Sequence, residues 1–195
     1  MNRPDVLKIG QDFKNQDILS LNQFDPSSLQ RLFGLTSQFK EQAEVGKISQ
    51  TLQGKLITLL FFEPSTRTFS SFAAGIKRLG GHTIEYQNPG QTSSATKGES
   101  IEDMAQVFAC YSDMIIVRHS EAGALARFAA AAEIPVINAG DGAGEHPTQA
   151  LFDMFTVHEK HRRLDNLTGV VAGDLLYGRT AHSFLDGLSI YKNNT

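Results

Sequence analysis

Apolar residues recur along this chain in two rhythms. After Asp25-Pro26-Ser27, the residues Leu29, Leu32, Phe33, Leu35 and Phe39 recur at helical spacing, predicting a helix with that stripe buried. Leu56–Phe61 is apolar throughout except for Thr58, which predicts a strand covered on both faces, as in a parallel sheet. Pro64-Ser65-Thr66 breaks that run. A second helix follows with Phe69, Phe72, Ala73, Ile76 and Leu79 inward, and Gly80-Gly81 stops it.

Beyond it the pattern predicts a strand at Thr83–Tyr86, a helix at Ile101–Cys110, a strand at Asp113–Arg118, a helix at Glu121–Ala132 and a strand at Ile134–Asn138. This alternation places the chain in the α/β class, with a parallel sheet and helices on both faces. His146-Pro147 opens a further helix to about Lys160, with Pro147 at its first position. Gly169–Asp174 predicts one more buried strand, and Gly178–Gly187 a helix. One strand and one helix do not make a sheet domain. The expected organisation is therefore a ligand-binding domain over residues 1–147, an inter-domain helix and linker over 148–166, and the start of a second, truncated α/β domain over 167–195.

Composition narrows the classes. The 195 residues are 41% hydrophobic and 20% charged, which suits a packed globular chain and not a disordered one. A net charge of −3 leaves no basic stripe for a polyanion, so nucleic acid is not an expected partner. A single Cys excludes an intramolecular disulfide framework and a multi-Cys zinc site. The apolar runs are strand-sized, so no membrane partner is expected. The first residues are polar and not a signal-peptide core, so the expected location is cytoplasmic.

In an open parallel sheet, ligands sit at the carboxyl ends of the strands. Ser65-Thr66-Arg67-Thr68 lies at such a strand-to-helix junction. Unpaired amides, hydroxyls and a guanidinium there would cradle a phosphate; alternatively, Ser65 or Thr66 caps the helix and Arg67 points to solvent. Arg118 ends the next strand and either faces the crevice or makes a surface ion pair. His146 and Gln149 share the first turn of one helix. A neutral imidazole there could donate to an oxyanion, or could cap its own helix. Lys97, in a Ser/Thr/Gly-rich loop over 88–98 expected to be mobile, reads by itself as a solvated side chain. Cys110 reads as core. His158 and His161 read as a solvated face, with no carboxylates to make a metal site. Gly173–Thr180 approaches the G-x-x-x-x-G-K-[ST] phosphate loop but has Arg179 in place of Lys and lacks the intervening glycines.

Several stretches together resemble the aspartate/ornithine carbamoyltransferase family, and within it aspartate carbamoyltransferase catalytic chains. They are Phe61-Phe-Glu-Pro-Ser-Thr-Arg-Thr68, Lys97-Gly-Glu-Ser100, Val117-Arg-His119, Asn138-Ala-Gly-Asp-Gly142, His146-Pro-Thr-Gln149 and Gly173-Asp174 with Tyr177-Gly-Arg-Thr-Ala-His182. The resemblance runs from about residue 15 to residue 190 and corresponds to the amino-terminal two thirds of such a chain. It makes residues 1–147 a carbamoyl-phosphate-binding domain and 167–195 the start of an aspartate-binding domain.

The resemblance implies transfer of a carbamoyl group from carbamoyl phosphate to the α-amino group of L-aspartate in pyrimidine biosynthesis, without a cofactor or metal. Ser65, Thr66, Arg67 and Thr68 would hold the phosphate. Arg118 would touch phosphate and carbonyl oxygen, and Thr68 and His146 would donate to that oxygen. Gln149 would orient the carbamoyl amide, and Arg179 would bind a carboxylate of aspartate. Ser93 and Lys97 would reach a neighbouring subunit's site, which implies a homotrimer with shared sites and admits a separate regulatory chain. Leu176 stands where the family commonly has Lys, and Thr148 favours aspartate over ornithine as acceptor. Two other readings stay open: a non-catalytic carbamoyl-phosphate-binding or subunit-association module, and ornithine as acceptor. Because residues after about 165 lack neighbouring strands, Arg179 is expected to be loosely held.

Overall fold

Four strands form where the apolar runs predict them: β1 (Leu56–Phe61), β2 (His82–Gln87), β3 (Met114–His119) and β4 (Val136–Asp141). The computed structural model describes residues 8–10, 12–47, 49–89, 98–176 and 178–195. All the pairings are parallel, in the order β2-β1-β3-β4. The helices are α1 (Pro26–Glu44), α2 (Thr66–Arg78), α3 (Ile101–Ala109), α4 (Ala124–Ala131), α5 (Pro147–His161) and α6 (Arg179–Leu188).

Strand alternation separates two cores across the sheet. Ile57, Leu59 and Phe61 pack with Phe69, Ala73 and Ile76 of α2. Leu60, Ile115 and Val117 pack on the opposite face with Met104 and Ala105 of α3 and Leu125 and Phe128 of α4. A third core joins α1 to α5 through Leu29, Phe33, Leu151, Met154 and Phe155, with Phe184 and Leu188 of α6 against it. Close approach of α6 to α5 needs Gly187, where a Cβ would overlap Met154 Sδ.

The outer edge of β4 is closed by the segment Asp17–Leu19. Val136 N donates to Asp17 Oδ1 at 2.8 Å, Asn138 N to the Ile18 carbonyl at 2.8 Å, and Gly140 N to Asn138 Oδ1 at 2.7 Å. Every outward-facing amide of that strand therefore has a partner. The opposite edge, β2, is largely solvent-exposed.

Some expectations are corrected. Leu35 and Phe39 are each 39% exposed, because the apolar contact of α1 with the α5 core runs through Leu29, Leu32 and Phe33 and leaves them outside it. Cys110 is exposed, because it follows the last turn of α3 and points away from the sheet core. β4 starts at Val136 because Pro135 has no N–H for the ladder. α4 starts at Ala124 because Gly123, at φ 87°, turns the chain and donates to Asp141 Oδ2. Gly169–Asp174 forms no strand, and Val170 is 92% exposed. A strand needs a continuous hydrogen-bonded neighbour, and the backbone bonds that Thr195 makes with Leu167 and Gly169 meet this stretch at its start. No helix among the described residues is long and apolar enough to cross a membrane.

Candidate active site

The carboxyl ends of β1 and β3, the loop after β4, and the amino ends of α2, α5 and α6 converge on a cleft of about 840 Å³. Ser65, Arg67, Thr68, Arg118, His146, Gln149 and Arg179 all line it. Thr66 sits at the first position of α2 and is exposed, without lining the cleft. Ser93 and Lys97 lie outside the described residues, as does Tyr177.

The two alternatives for the helix starts separate here. Ser65 occupies the N-cap of α2 and His146 the N-cap of α5, yet neither side chain makes a capping hydrogen bond. The first-turn amides of α2 have no intrahelical partner, and they open beside Arg67 and Thr68.

Arg118 is only 7% exposed. Its Nη1 donates to the Ala139 carbonyl at 3.2 Å, its Nη2 pairs with Glu63 Oε2 at 2.7 Å, and its buried Nε has no partner among the described residues. Arg118 thus makes an ion pair, as one alternative held, but a buried one inside the cleft. Glu63 also meets Arg179 Nη2 at 3.3 Å, and Arg179 Nη1 donates to the Gly142 carbonyl. Arg179 thus has partners in the loops that follow β1 and β4. Burial and the nearby Arg179 charge pull the Arg118 guanidinium below its ordinary pKa, and Glu63 opposes this. A guanidinium stays charged at neutral pH regardless.

His146 is buried and its pKa is pushed down to about 4, first by burial, then by the charges of Arg118 and Arg179. It is neutral at pH 7 and can donate one ring proton to a developing oxyanion. Thr148 Oγ1 lies 3.4 Å from Nδ1. A hydroxyl donating there would keep the ring proton on Nε2. The backbone N–H of His146 donates to Ser183 Oγ of α6 at 3.0 Å, and the carboxylate of the preceding Glu145 accepts from Ser20 Oγ at 2.9 Å and Leu21 N at 3.0 Å. The imidazole is thereby fixed from both flanks.

Sequence reasoning gave no role to Glu63, Asp153 or Ser183. Glu63 had a signal: it is an acid directly before Pro64 in an otherwise cationic crevice. Among the described residues, no group of three or more His, Cys, Asp or Glu could hold a metal ion.

Gly140, at φ 127°, is the close approach that seats Arg118, since a Cβ there would lie 2.6 Å from Nη1. Gly140→Ala is expected to displace the guanidinium and weaken phosphate binding roughly tenfold or more, as for a lost charged hydrogen bond. Calorimetry with inorganic phosphate measures this, and unchanged affinity would show that Arg118 adapts.

A family model described as "Aspartate/ornithine carbamoyltransferase, carbamoyl-P binding domain" matches residues 16–159. The chain belongs to the aspartate/ornithine carbamoyltransferase family. Within that family it is 42% identical over 188 residues to aspartate carbamoyltransferase 1, chloroplastic, of Pisum sativum, covering 96% of this chain and 49% of that protein. It is 44% identical over 181 residues to the aspartate carbamoyltransferase catalytic subunit of Clostridium botulinum, covering 93% of this chain and 58% of the relative. A crystal structure of aspartate transcarbamoylase from Trypanosoma cruzi, in complex with carbamoyl phosphate and aspartate, superposes with a TM-score of 0.89 at 37% identity, over 98% of this chain and 59% of that one. The chain spans about half the length of the curated relatives it matches.

Proposed function

We propose that this chain forms the carbamoyl-phosphate half of an aspartate carbamoyltransferase, which transfers the carbamoyl group to the α-amino group of L-aspartate and releases phosphate. The observation that carries the reading is one cleft in which Arg118 and neutral His146 face the same space as the open amino end of α2. Phosphate would bind Ser65–Thr68 and Arg118. The carbonyl oxygen would take donors from Thr68, Arg118 and His146. Attack by the amine on the carbamoyl carbon builds an oxyanion, and these donors stabilise it. The C–O bond to phosphate then breaks, and phosphate accepts the amine's proton. Holding two anions at one place is the remaining task, which suits three guanidiniums moderated by the carboxyl groups of Glu63 and Asp153.

Arg179 would hold a carboxylate of aspartate. The rest of the acceptor site would come from polypeptide beyond these residues, and Ser93 and Lys97 would act across subunits of a homotrimer. The exposed Val170, in a segment that forms no strand, favours a second reading, a binding module without turnover by itself.

Calorimetry should show binding of inorganic phosphate and carbamoyl phosphate, weakened about tenfold by Arg67→Ala, whose side chain is exposed and contributes about one charged hydrogen bond. A carbamoyl-aspartate assay with and without a supplied carboxyl-terminal fragment separates enzyme from module. No phosphate binding by the wild-type chain would sink both readings.

A further inference from the structure

Gln149 and Asp153 stand one helical turn apart on α5, and Gln149 Nε2 donates to Asp153 Oδ1 at 3.0 Å. A carboxylate only accepts, so this bond decides which end of the planar amide faces it. The NH2 end is committed to Asp153. Oε1 is the remaining polar atom of an amide that lines the cleft. Asp153 lines the same cleft, so the pair is part of its wall.

An acceptor presented this way distinguishes two acyl phosphates of nearly the same shape. A carbamoyl group offers an N–H to Oε1. An acetyl group offers a methyl, and leaves Oε1 without a partner once water is displaced. Sites built to hydrogen-bond a ligand group reject analogues that lack it. Without Asp153 the amide could turn over and present NH2 instead, a donor facing a donor.

We propose that Asp153 is a positioning residue that fixes the Gln149 amide with Oε1 toward the acyl group, and so makes the site select NH2 over methyl at that place. This rests on the carbamoyl-phosphate reading above.

The test uses the full 195-residue chain and three stable probes: inorganic phosphate, phosphonoacetamide, and acetonylphosphonate, which carries methyl in place of NH2. Wild-type protein should prefer the amide over the methyl ketone by about tenfold or more in calorimetry. Asp153→Asn keeps the shape but can donate as well as accept, and Asp153→Ala removes the contact. Both should bring the preference to within about threefold while inorganic phosphate affinity stays within about twofold. Retained preference in both variants would overturn the proposal. Equal loss of affinity for all three probes would also overturn it, because that is what a merely structural role predicts. Wild-type protein that binds neither phosphate nor phosphonoacetamide overturns the underlying reading itself, an outcome distinct from either.

Discussion

Arg118→Met is expected to lower inorganic phosphate affinity by roughly a hundredfold, about 3 kcal/mol, the upper range for hydrogen bonds to a charged group. The substitution keeps the apolar stem and removes only the guanidinium. Three features make this the largest expected loss in the cleft. The side chain is almost fully buried, so little water competes with its ligand. Its buried Nε has no partner among the described residues and is a donor in reserve for an anion. Its removal also leaves Arg179 as the remaining cationic partner of Glu63 among the described residues, so net positive charge in the cleft falls by one. Arg67→Ala should cost less, since Arg67 is exposed. Phosphate binding by Arg118→Met at wild-type affinity would refute the assignment.

His146 is expected to make the fold acid-labile between pH 6.5 and about 4. Unfolded, the imidazole takes up a proton near 6.5; folded, it resists until about 4. The unfolded state therefore binds more protons across that window, and stability falls as pH falls. At pH 5 the loss is about 2 kcal/mol, and the full span has an upper bound of about 3 kcal/mol. Asp17, Asp141 and Asp153 act in the opposite sense, because burial raises each carboxyl and acid then favours the folded form. A difference measurement isolates the histidine. Urea unfolding of wild type and His146→Gln at pH 7 and pH 5 should show the wild type losing about 2 kcal/mol more than the variant between the two values. Equal losses would show that the imidazole is protonated in the folded protein.

Much of the sheet was legible because its strands are buried on both faces and so read as apolar runs: Leu56–Phe61 is β1 residue for residue. The cleft was legible where chemistry sits at element junctions, as with Ser65, Arg67, Thr68, Arg118 and His146. What failed depended on neighbours. Gly169–Asp174 has strand composition, but composition does not supply an adjacent strand to pair with. Leu35 and Phe39 keep helical spacing, but spacing does not say how wide the facing helix is. Glu63, Asp153 and Ser183 act through bonds to residues on other segments or one helical turn away, and a single sequence does not show which of its polar side chains meet. The partners of Arg179 were hidden for the same reason, since Glu63 and Gly142 come from far along the chain.

The closed edge of β4 bears on how copies of this chain could grow together. A sheet with two open edges is a two-ended monomer in the polymer sense, and each addition leaves a new end for the next. Here Asp17, Ile18 and Asn138 already occupy the amides of one end, and among the described residues no further strand pairs with β2 at the other. Strand addition through β2 joins two sheets back to back at their open ends and consumes both. The product carries a β4 edge with its outward amides occupied on either side, so pairing through β2 leaves no second β2 edge for a third sheet.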